Sequence, residues 1–331
     1  MGLIKRLSGS IILLAVMLLG ATVYYVTRPL AIAEFPVDFS LQPGTSLTGA
    51  ANQLKKAGIL DDAQVFVLLG RSMKLAGQIK YGNYQLTKPV SMYELLEIIN
   101  KGRVAQGDLT IIEGWTYKQF RAALNASPKL SHDTLLLTDA EILQKIGATE
   151  KHPEGLFFPD TYNFPAGSSD LALMKRAYLT MQRHLQEHWE SRDKDLPLDT
   201  PYQALILASI IEKETGKAID RTMIASVFIN RLRKGMRLQT DPTVIYGIGD
   251  KYDGNIRKRD LLNDTAYNTY TRYGLTPTPI ALPGKDSLYA ALHPATSSAL
   301  YFVSRGDGTS QFSSSLADHN QAVQRFQLNQ K

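Results

Sequence analysis

Apolar side chains recur at helical spacing in some segments of the chain and alternate with polar ones in others. Helical spacing covers residues 47–57, 63–75, 117–124 and 171–189. Alternation over residues 81–86 and an apolar run at 109–112 predict strands. Ser91, with Glu94 three positions later, predicts a capping box at the start of another helix, which Gly102 ends. Short strands and helices in separate runs predict an α+β fold.

The N-terminal segment has the pattern of a membrane anchor. Lys5 and Arg6 precede an uncharged, mostly apolar stretch at residues 8–27, which is long enough to cross a bilayer as a helix. Basic residues before the span favour a cytoplasmic N-terminus at residues 1–7 and export of the remaining chain in a single-pass topology. The alternative is a cleaved signal peptide, because Ala31-Ile32-Ala33 resembles a small-residue cleavage site.

The exported part divides into a small and a large unit. The chain has 331 residues, which is more than one compact core usually needs. A linker at residues 28–36 leads into a small α+β module at residues 37–105. Residues 106–331 then form a larger mixed α/β domain.

Composition narrows the range of functions. Apolar residues make up 44% and charged residues 21%, as in folded globular proteins. The chain has no cysteine, which excludes disulfides, thiolate zinc sites and cysteine nucleophiles. The net charge of +6 is spread along the chain, and this argues against nucleic acid as a partner. A basic excess suits anionic lipid or an anionic wall polymer, and it also serves solubility alone.

A candidate acid/base follows a helix that is apolar nearly all round. Residues 204–211 form that helix, and Glu212 continues it. A carboxyl in this place loses hydration, and desolvation favours the protonated form that a general acid requires. At helical spacing Glu214 points about 200° away from Glu212. The alternative is that Glu212 only begins the polar end of the helix.

Two downstream segments are rich in groups that recognise sugars. Residues 238–247 and 267–270 combine aromatic rings with amides and hydroxyls; rings cover the apolar faces of sugars and amides bind their hydroxyls. The candidate substrate contacts are Gln239, Thr240, Asp241, Tyr246, Tyr267, Asn268 and Tyr270. The same residues could form a well-bonded loop. The aromatic segment at residues 154–162 either lines a cleft or packs in a core.

Several motifs in this part of the chain closely resemble those of the YceG-like family. They are Ile-Ile-Glu-Lys-Glu-Thr at 210–215, Val-Phe-Ile-Asn-Arg-Leu at 227–232, Gln-Thr-Asp-Pro-Thr-Val at 239–244, Tyr-Asn-Thr-Tyr at 267–270, Gly-Lys-Asp-Ser-Leu at 284–288, His-Pro-Ala at 293–295 and Tyr-Phe-Val at 301–303. The resemblance is weak before Leu109 and strong after Glu154. It implies that residues 37–105 form a LysM-like module and that Glu212 matches the family's catalytic glutamate.

The resemblance also implies an activity. Such proteins are lytic transglycosylases that cleave the bond between N-acetylmuramic acid and N-acetylglucosamine in peptidoglycan strands and leave 1,6-anhydro ends. No metal or organic cofactor is implied. The expected place is the bacterial inner membrane, with the catalytic domain in the periplasm. The expected partners are nascent glycan strands, whose length the enzyme would limit, and peptidoglycan synthases.

Three other functions compete with this one. A glycoside hydrolase would use Glu212 together with Asp241. A wall-binding scaffold would use the LysM-like module and the anchor without catalysis. His184, Glu187 and His188 fit the H-x-x-E-H pattern of inverted zinc peptidases, but a third zinc ligand is not evident.

Overall fold

The chain folds into two compact units of mixed helices and strands, which confirms the α+β prediction. The computed structural model describes residues 2–32, 37–42, 44–86, 88–102 and 106–328. The first unit comprises Met1–Gly107 and Asn163–Ser168, and the second comprises Asp108–Tyr162 and Ser169–Lys331. Residues 33–36 of the predicted linker, residues 103–105 at the predicted domain boundary and residues 329–331 at the end of the predicted catalytic domain lie outside the described residues.

The first unit is built on an antiparallel pair of strands and short helices. Its elements are α1 (Gly2–Thr27), β1 (Val37–Leu41), α2 (Leu47–Lys56), α3 (Ala63–Ser72), β2 (Gly82–Leu86) and α4 (Met92–Lys101). Strands β1 and β2 pair antiparallel, so Phe39 lies opposite Tyr84, and the two rings stack at 5.1 Å. The capping box predicted at Ser91 and Glu94 is present at the start of α4. Strand β1 was not predicted, although its five residues, Val-Asp-Phe-Ser-Leu, alternate apolar and polar side chains as a half-buried strand does.

Helix α1 presents apolar side chains outward, with Leu18 68% exposed. Within the part of the chain that the structure describes, no helix meets the length and hydropathy needed to cross a membrane. The transmembrane span and the LysM-like nature of residues 37–105 stay predictions.

The second unit is mostly helical. The remaining strands of the chain, some of which contain residues of both units, are β3 (Gln106–Thr110), β4 (Leu130–Ser131), β5 (Thr161–Pro165), β6 (Ser168–Ser169), β7 (Tyr301–Ser304) and β8 (Ser310–Ser313). Its helices are α5 (Tyr117–Ala126), α6 (Asp139–Ile146), α7 (Asp170–Glu190), α8 (Pro201–Glu214), α9 (Ala218–Arg233), α10 (Asp241–Ile248), α11 (Lys258–Leu262), α12 (Lys285–Leu292) and α13 (Leu316–Val323). Strand β3 pairs with β5, and β4 pairs with β6. Strands β7 and β8 pair in antiparallel register.

Helix α8 is the centre of this unit. It packs against α7, α9, α10 and α12, and every residue at 204–211 is buried. Thr200 caps its first turn and Pro201 occupies the first helical position, where a missing N–H costs nothing. The helix ends at Glu214, where Thr215 turns to extended backbone. Both glutamates of the 210–215 motif therefore lie on the last turn of a helix that is held on all sides.

Candidate active site

The last turn of α8 directs its two glutamates to opposite sides. Positions 212 and 214 are about 200° apart around the helix axis. Their surroundings differ completely, and each has to be described by its own contacts.

Glu212 lies in a network of charges. Its side chain is 6% exposed, and its Oε1 atom lies 3.6 Å from Nη2 of Arg221 on α9. Oε2 accepts a hydrogen bond of 2.9 Å from the backbone N–H of Gly284, the residue that precedes α12. Arg221 also contacts Asp286 at 3.0 Å and Glu113 at 3.9 Å. Burial and the charge of Glu212 raise the pKa of Glu113.

These contacts correct part of the sequence-based argument. The expected burial of Glu212 is present, but its two carboxylate oxygens already have a guanidinium and a backbone N–H as partners. The apolar pattern of residues 204–211 could not reveal Arg221, since the partner comes from another helix. The Glu212 carboxyl joins α8, α9 and α12 at one point.

Glu214 lies on the other side, in the wall of a cavity of about 770 Å³. We call this the Glu214 cavity. Its lining includes Glu214, Arg231, Gln239, Thr240, Asp241, Tyr270, Tyr301 and His319. Glu212 is not among the described residues that line it. The cavity is polar and open to solvent, as a site for a sugar chain requires.

The electrostatics of Glu214 suit proton transfer. Burial raises its pKa to about 7; the hydrogen bond from Thr240 lowers the value, the charge of Asp241 raises it and Arg231 lowers it. The Thr240 hydroxyl donates to Oε1 of Glu214, so the carboxyl is held in one orientation. A carboxyl with a pKa close to neutrality can give and take a proton at working pH.

Asp241 and Tyr270 form a bonded pair in the same cavity. The Tyr270 hydroxyl donates a hydrogen bond of 2.6 Å to Oδ1 of Asp241. Burial, then this hydrogen bond to Asp241, raises the pKa of Tyr270, which keeps the phenol protonated. Asp241 begins α10, where Thr240 precedes it.

Four of the seven predicted substrate contacts line the Glu214 cavity, namely Gln239, Thr240, Asp241 and Tyr270. Gln239 has a positive φ of 49°, and its N–H bonds to the carbonyl oxygen of Thr269. This unusual backbone holds the residue at the cavity wall.

The other three predicted contacts have different partners. Asn268 is fully buried, and its amide donates to the carbonyl oxygens of three residues at 260–263, so it supports a loop, and a substrate contact there stays a prediction. The Tyr267 hydroxyl bonds to that of Thr278, and the Tyr246 hydroxyl donates to a buried glutamate. Neither tyrosine is among the described residues that line the Glu214 cavity.

The sequence argument missed the role of that buried glutamate, Glu154. It is 3% exposed; its Oε1 accepts from the Tyr117 N–H at 2.8 Å and its Oε2 from the Tyr246 hydroxyl at 3.0 Å. Burial raises the pKa of Glu154 to about 7. The aromatic segment around it packs in the core, with Leu156 and Phe157 fully buried. No local pattern could identify these partners, because both are distant in sequence.

The histidines of the H-x-x-E-H motif pack against aromatic rings. His184 lies 4.4 Å from Phe158 and His188 lies 5.9 Å from Tyr289, both measured between ring centroids. Among the residues that the structure describes, no group of three or more His, Cys, Asp or Glu is placed to hold a metal ion.

Comparison with known proteins gives consistent matches. A protein named endolytic murein transglycosylase from Bacillus subtilis (strain 168) is 32% identical over 307 residues, which cover 88% of this chain and 84% of that protein. A protein of the same name from Streptococcus pneumoniae is 26% identical over 321 residues; the match covers 87% of this chain but 58% of that protein. The crystal structure of a yceG-like protein from Listeria monocytogenes matches 88% of this chain and 100% of its own, with a TM-score of 0.54 and 29% identity. The model of the YceG-like family matches residues 39–325, and the chain therefore belongs to this family.

Proposed function

We propose that this protein is an endolytic lytic transglycosylase of peptidoglycan, which cleaves the bond between N-acetylmuramic acid and N-acetylglucosamine within glycan strands. The observation that carries the proposal is the Glu214 carboxyl, whose pKa burial raises to about 7, in the wall of a polar cavity. The names of the relatives from Bacillus subtilis and Streptococcus pneumoniae support the same activity.

One carboxyl performs both proton transfers in this reaction. Protonated Glu214 gives its proton to the glycosidic oxygen as the bond from that oxygen to the muramyl C1 breaks. The carboxylate so formed takes the proton of the muramyl C6 hydroxyl while the C6 oxygen bonds to C1. The products are a 1,6-anhydro end and a free hydroxyl on the departing sugar, and no water is consumed.

The neighbours of Glu214 assist both proton transfers. The Thr240 hydroxyl orients the carboxyl through Oε1, and the charge of Arg231 favours the carboxylate that exists between the two transfers. Asp241, held by Tyr270, offers an acceptor for a sugar hydroxyl in the same cavity.

The proposal places the acid/base at Glu214, whereas the sequence pattern and the family resemblance favoured Glu212. Geometry supports Glu214 better, because Glu212 is bound by Arg221 and the Gly284 N–H and is not among the described residues of the cavity wall. Glu212 as the catalytic residue stays a prediction, and the same pair of variants tests both.

Hydrolysis is the second candidate function. Asp241 and Glu214 line one cavity, and two carboxylates across a glycosidic bond are the usual equipment of a glycosidase. Digestion of purified strands in ¹⁸O-labelled water separates the two reactions. Transglycosylation gives anhydro ends without the label, whereas hydrolysis gives reducing muramic ends that carry it. Labelled ends as the main product would overturn the proposal.

We further propose that α1 anchors the enzyme in the inner membrane and holds the catalytic unit in the periplasm beside nascent strands. The uncharged stretch at residues 8–27, the basic residues before it and the exposed apolar side chains of α1 support this location. Fractionation of cells that express the full chain, with protease added to spheroplasts, tests the location and orientation. Co-purification with peptidoglycan synthases tests the partnership.

A further inference from the structure

Helix α10 carries a cavity at each of its ends. Asp241, its first residue, lines the Glu214 cavity, and Ile248, its last, lines a second cavity of about 370 Å³. Residues seven positions apart lie on the same face of a helix and about 10 Å apart along its axis. Each cavity therefore has a lining residue on the same face of α10.

The second cavity has an excess of positive charge. Its lining includes the cations Lys251, Arg257 and Arg259 and the carboxylates Asp253 and Asp260. We call it the basic cavity.

Both carboxylates of the basic cavity already have partners. Nη2 of Arg257 lies 2.6 Å from Oδ2 of Asp253, and this hydrogen bond lowers the pKa of that carboxyl. Asp260 accepts from the backbone N–H of Arg257 at 2.8 Å. Nε of Arg259 lies 3.7 Å from Oδ1 of Asp260, which is beyond hydrogen-bond distance. The three cations exceed the two carboxylates by one positive charge, and Lys251 and the Nη atoms of Arg259 can therefore attract an anion.

A single loop supports both cavities. The Asn268 amide donates to the carbonyl oxygens of Asp260, Leu261 and Asn263 at 3.3, 3.0 and 2.7 Å. Two residues later, the Tyr270 hydroxyl binds Asp241 in the Glu214 cavity. The segment that contributes the basic cavity is thus held at a set distance from the proposed catalytic carboxyl.

We propose that the basic cavity binds the free carboxylates of the peptide stem that the muramyl residue carries. This inference rests on the proposed function, since it needs a muramyl residue beside Glu214. A stem extends at most about 3.3–3.6 Å per residue, so about three residues match the axial distance of about 10 Å between Asp241 and Ile248, which line the two cavities. Peptidoglycan stems bear carboxylates within their first few residues, and guanidinium and ammonium groups are the side chains that bind them. The enzyme would then prefer strands that still carry stems.

The test compares the full-length variant Lys251→Ala/Arg259→Ala with a matched control, Lys234→Ala/Lys258→Ala. The control removes two exposed lysines that are not among the described residues of either cavity. Substrates are stem-bearing strands and the same strands stripped by an amidase. We expect kcat/KM of the Lys251/Arg259 variant to fall about tenfold on stem-bearing strands and less than about twofold on stripped ones, with the control unchanged on both. Equal losses on the two substrates, or no loss on either, would overturn the proposal.

A binding experiment separates this proposal from the proposed function. A fluorescent stem tripeptide is titrated into wild type, into Glu214→Gln and into the Lys251/Arg259 variant. We expect equal affinity for the first two and about tenfold weaker binding by the third. If none of the three proteins, wild type included, cleaves strands but only the Lys251/Arg259 variant binds the tripeptide more weakly, the stem site is supported and the transglycosylase assignment fails. Equal affinity for all three would contradict the stem site whatever the activity.

Discussion

Glu212 and Glu214 are two positions apart on the last turn of α8, yet they occupy opposite kinds of surroundings. Glu212 has a guanidinium at 3.6 Å and a backbone N–H at 2.9 Å, and it joins three helices. Glu214 borders a cavity, and burial raises its pKa to about 7. A buried helix fixes where its terminal side chains begin, but the neighbouring helices determine what each carboxyl can do. We assign proton transfer to Glu214, and to Glu212 the structural role of linking α8, α9 and α12.

The largest expected effect is the loss of catalysis in Glu214→Gln. The amide keeps the shape and the Thr240 contact but cannot give a proton, so kcat should fall by about 10³-fold with little change in KM. Glu212→Gln is the matched variant on the same turn and should keep most of the activity. Steady-state kinetics on purified glycan strands measures both. A Glu214→Gln enzyme with near wild-type kcat would reverse the assignment.

The next largest effect concerns Glu154, which has a raised pKa but no place among the described residues of the Glu214 cavity. Its folded pKa of about 7 exceeds the ordinary 4.5, so the folded state keeps a proton that the unfolded chain releases between these values. Stability from this proton is fully present below pH 4.5 and is lost as pH rises through 7, by ~3 kcal/mol. Urea unfolding at low and neutral pH measures this decrease in unfolding free energy. The decrease should be smaller in Glu154→Gln than in wild type, because the amide does not titrate. An identical pH dependence in the variant would show that Glu154 is not the group that titrates.

A moderate loss of stability should follow when Glu212 is removed. Glu212→Ala leaves the buried Arg221 with exposed partners and the Gly284 N–H without its acceptor, which should cost about 2 kcal/mol in unfolding free energy. Glu212→Gln should cost less, because its amide oxygen still accepts from Gly284. Asp286→Asn is the control, since Asp286 is 68% exposed and exposed ion pairs contribute under about 1 kcal/mol. Equal losses of unfolding free energy in Glu212→Ala and Asp286→Asn would contradict the greater structural role of Glu212.

The smallest effect refines the Glu214 side of the comparison. The Thr240 hydrogen bond lowers the pKa of Glu214, so Thr240→Val should raise that pKa above its value of about 7. Because the reaction needs the protonated acid, kcat/KM falls as pH rises through this pKa. The midpoint of that fall should move up by about half a pH unit in the variant. A downward shift would contradict the proposed orientation of the carboxyl.

Much of the fold follows from local patterns. The capping box at Ser91, the amphipathic α7 and the wholly buried α8 are all readable from residue types and spacing. The polar residues at 239–241 line the Glu214 cavity, and their contact with substrate stays a prediction.

The choice between the two glutamates was beyond those patterns. Helix α8 is buried on every side, so it has no amphipathic face that could distinguish position 212 from position 214. Arg221, which binds Glu212, and Thr240, which binds Glu214, come from separate segments brought together only by folding. The same holds for Asn268, because its amide binds the carbonyl oxygen of Leu261, which lies outside the 267–270 motif.

The most direct test of the central claim is the protonation state of Glu214 itself. Carboxyl ¹³C signals of glutamate-labelled protein, followed from acid to alkaline pH, should include two that titrate near 7, from Glu214 and Glu154. We predict that Glu214→Gln removes one of them and that Glu154→Gln removes the other. Two signals that persist near 7 in Glu214→Gln would contradict the account.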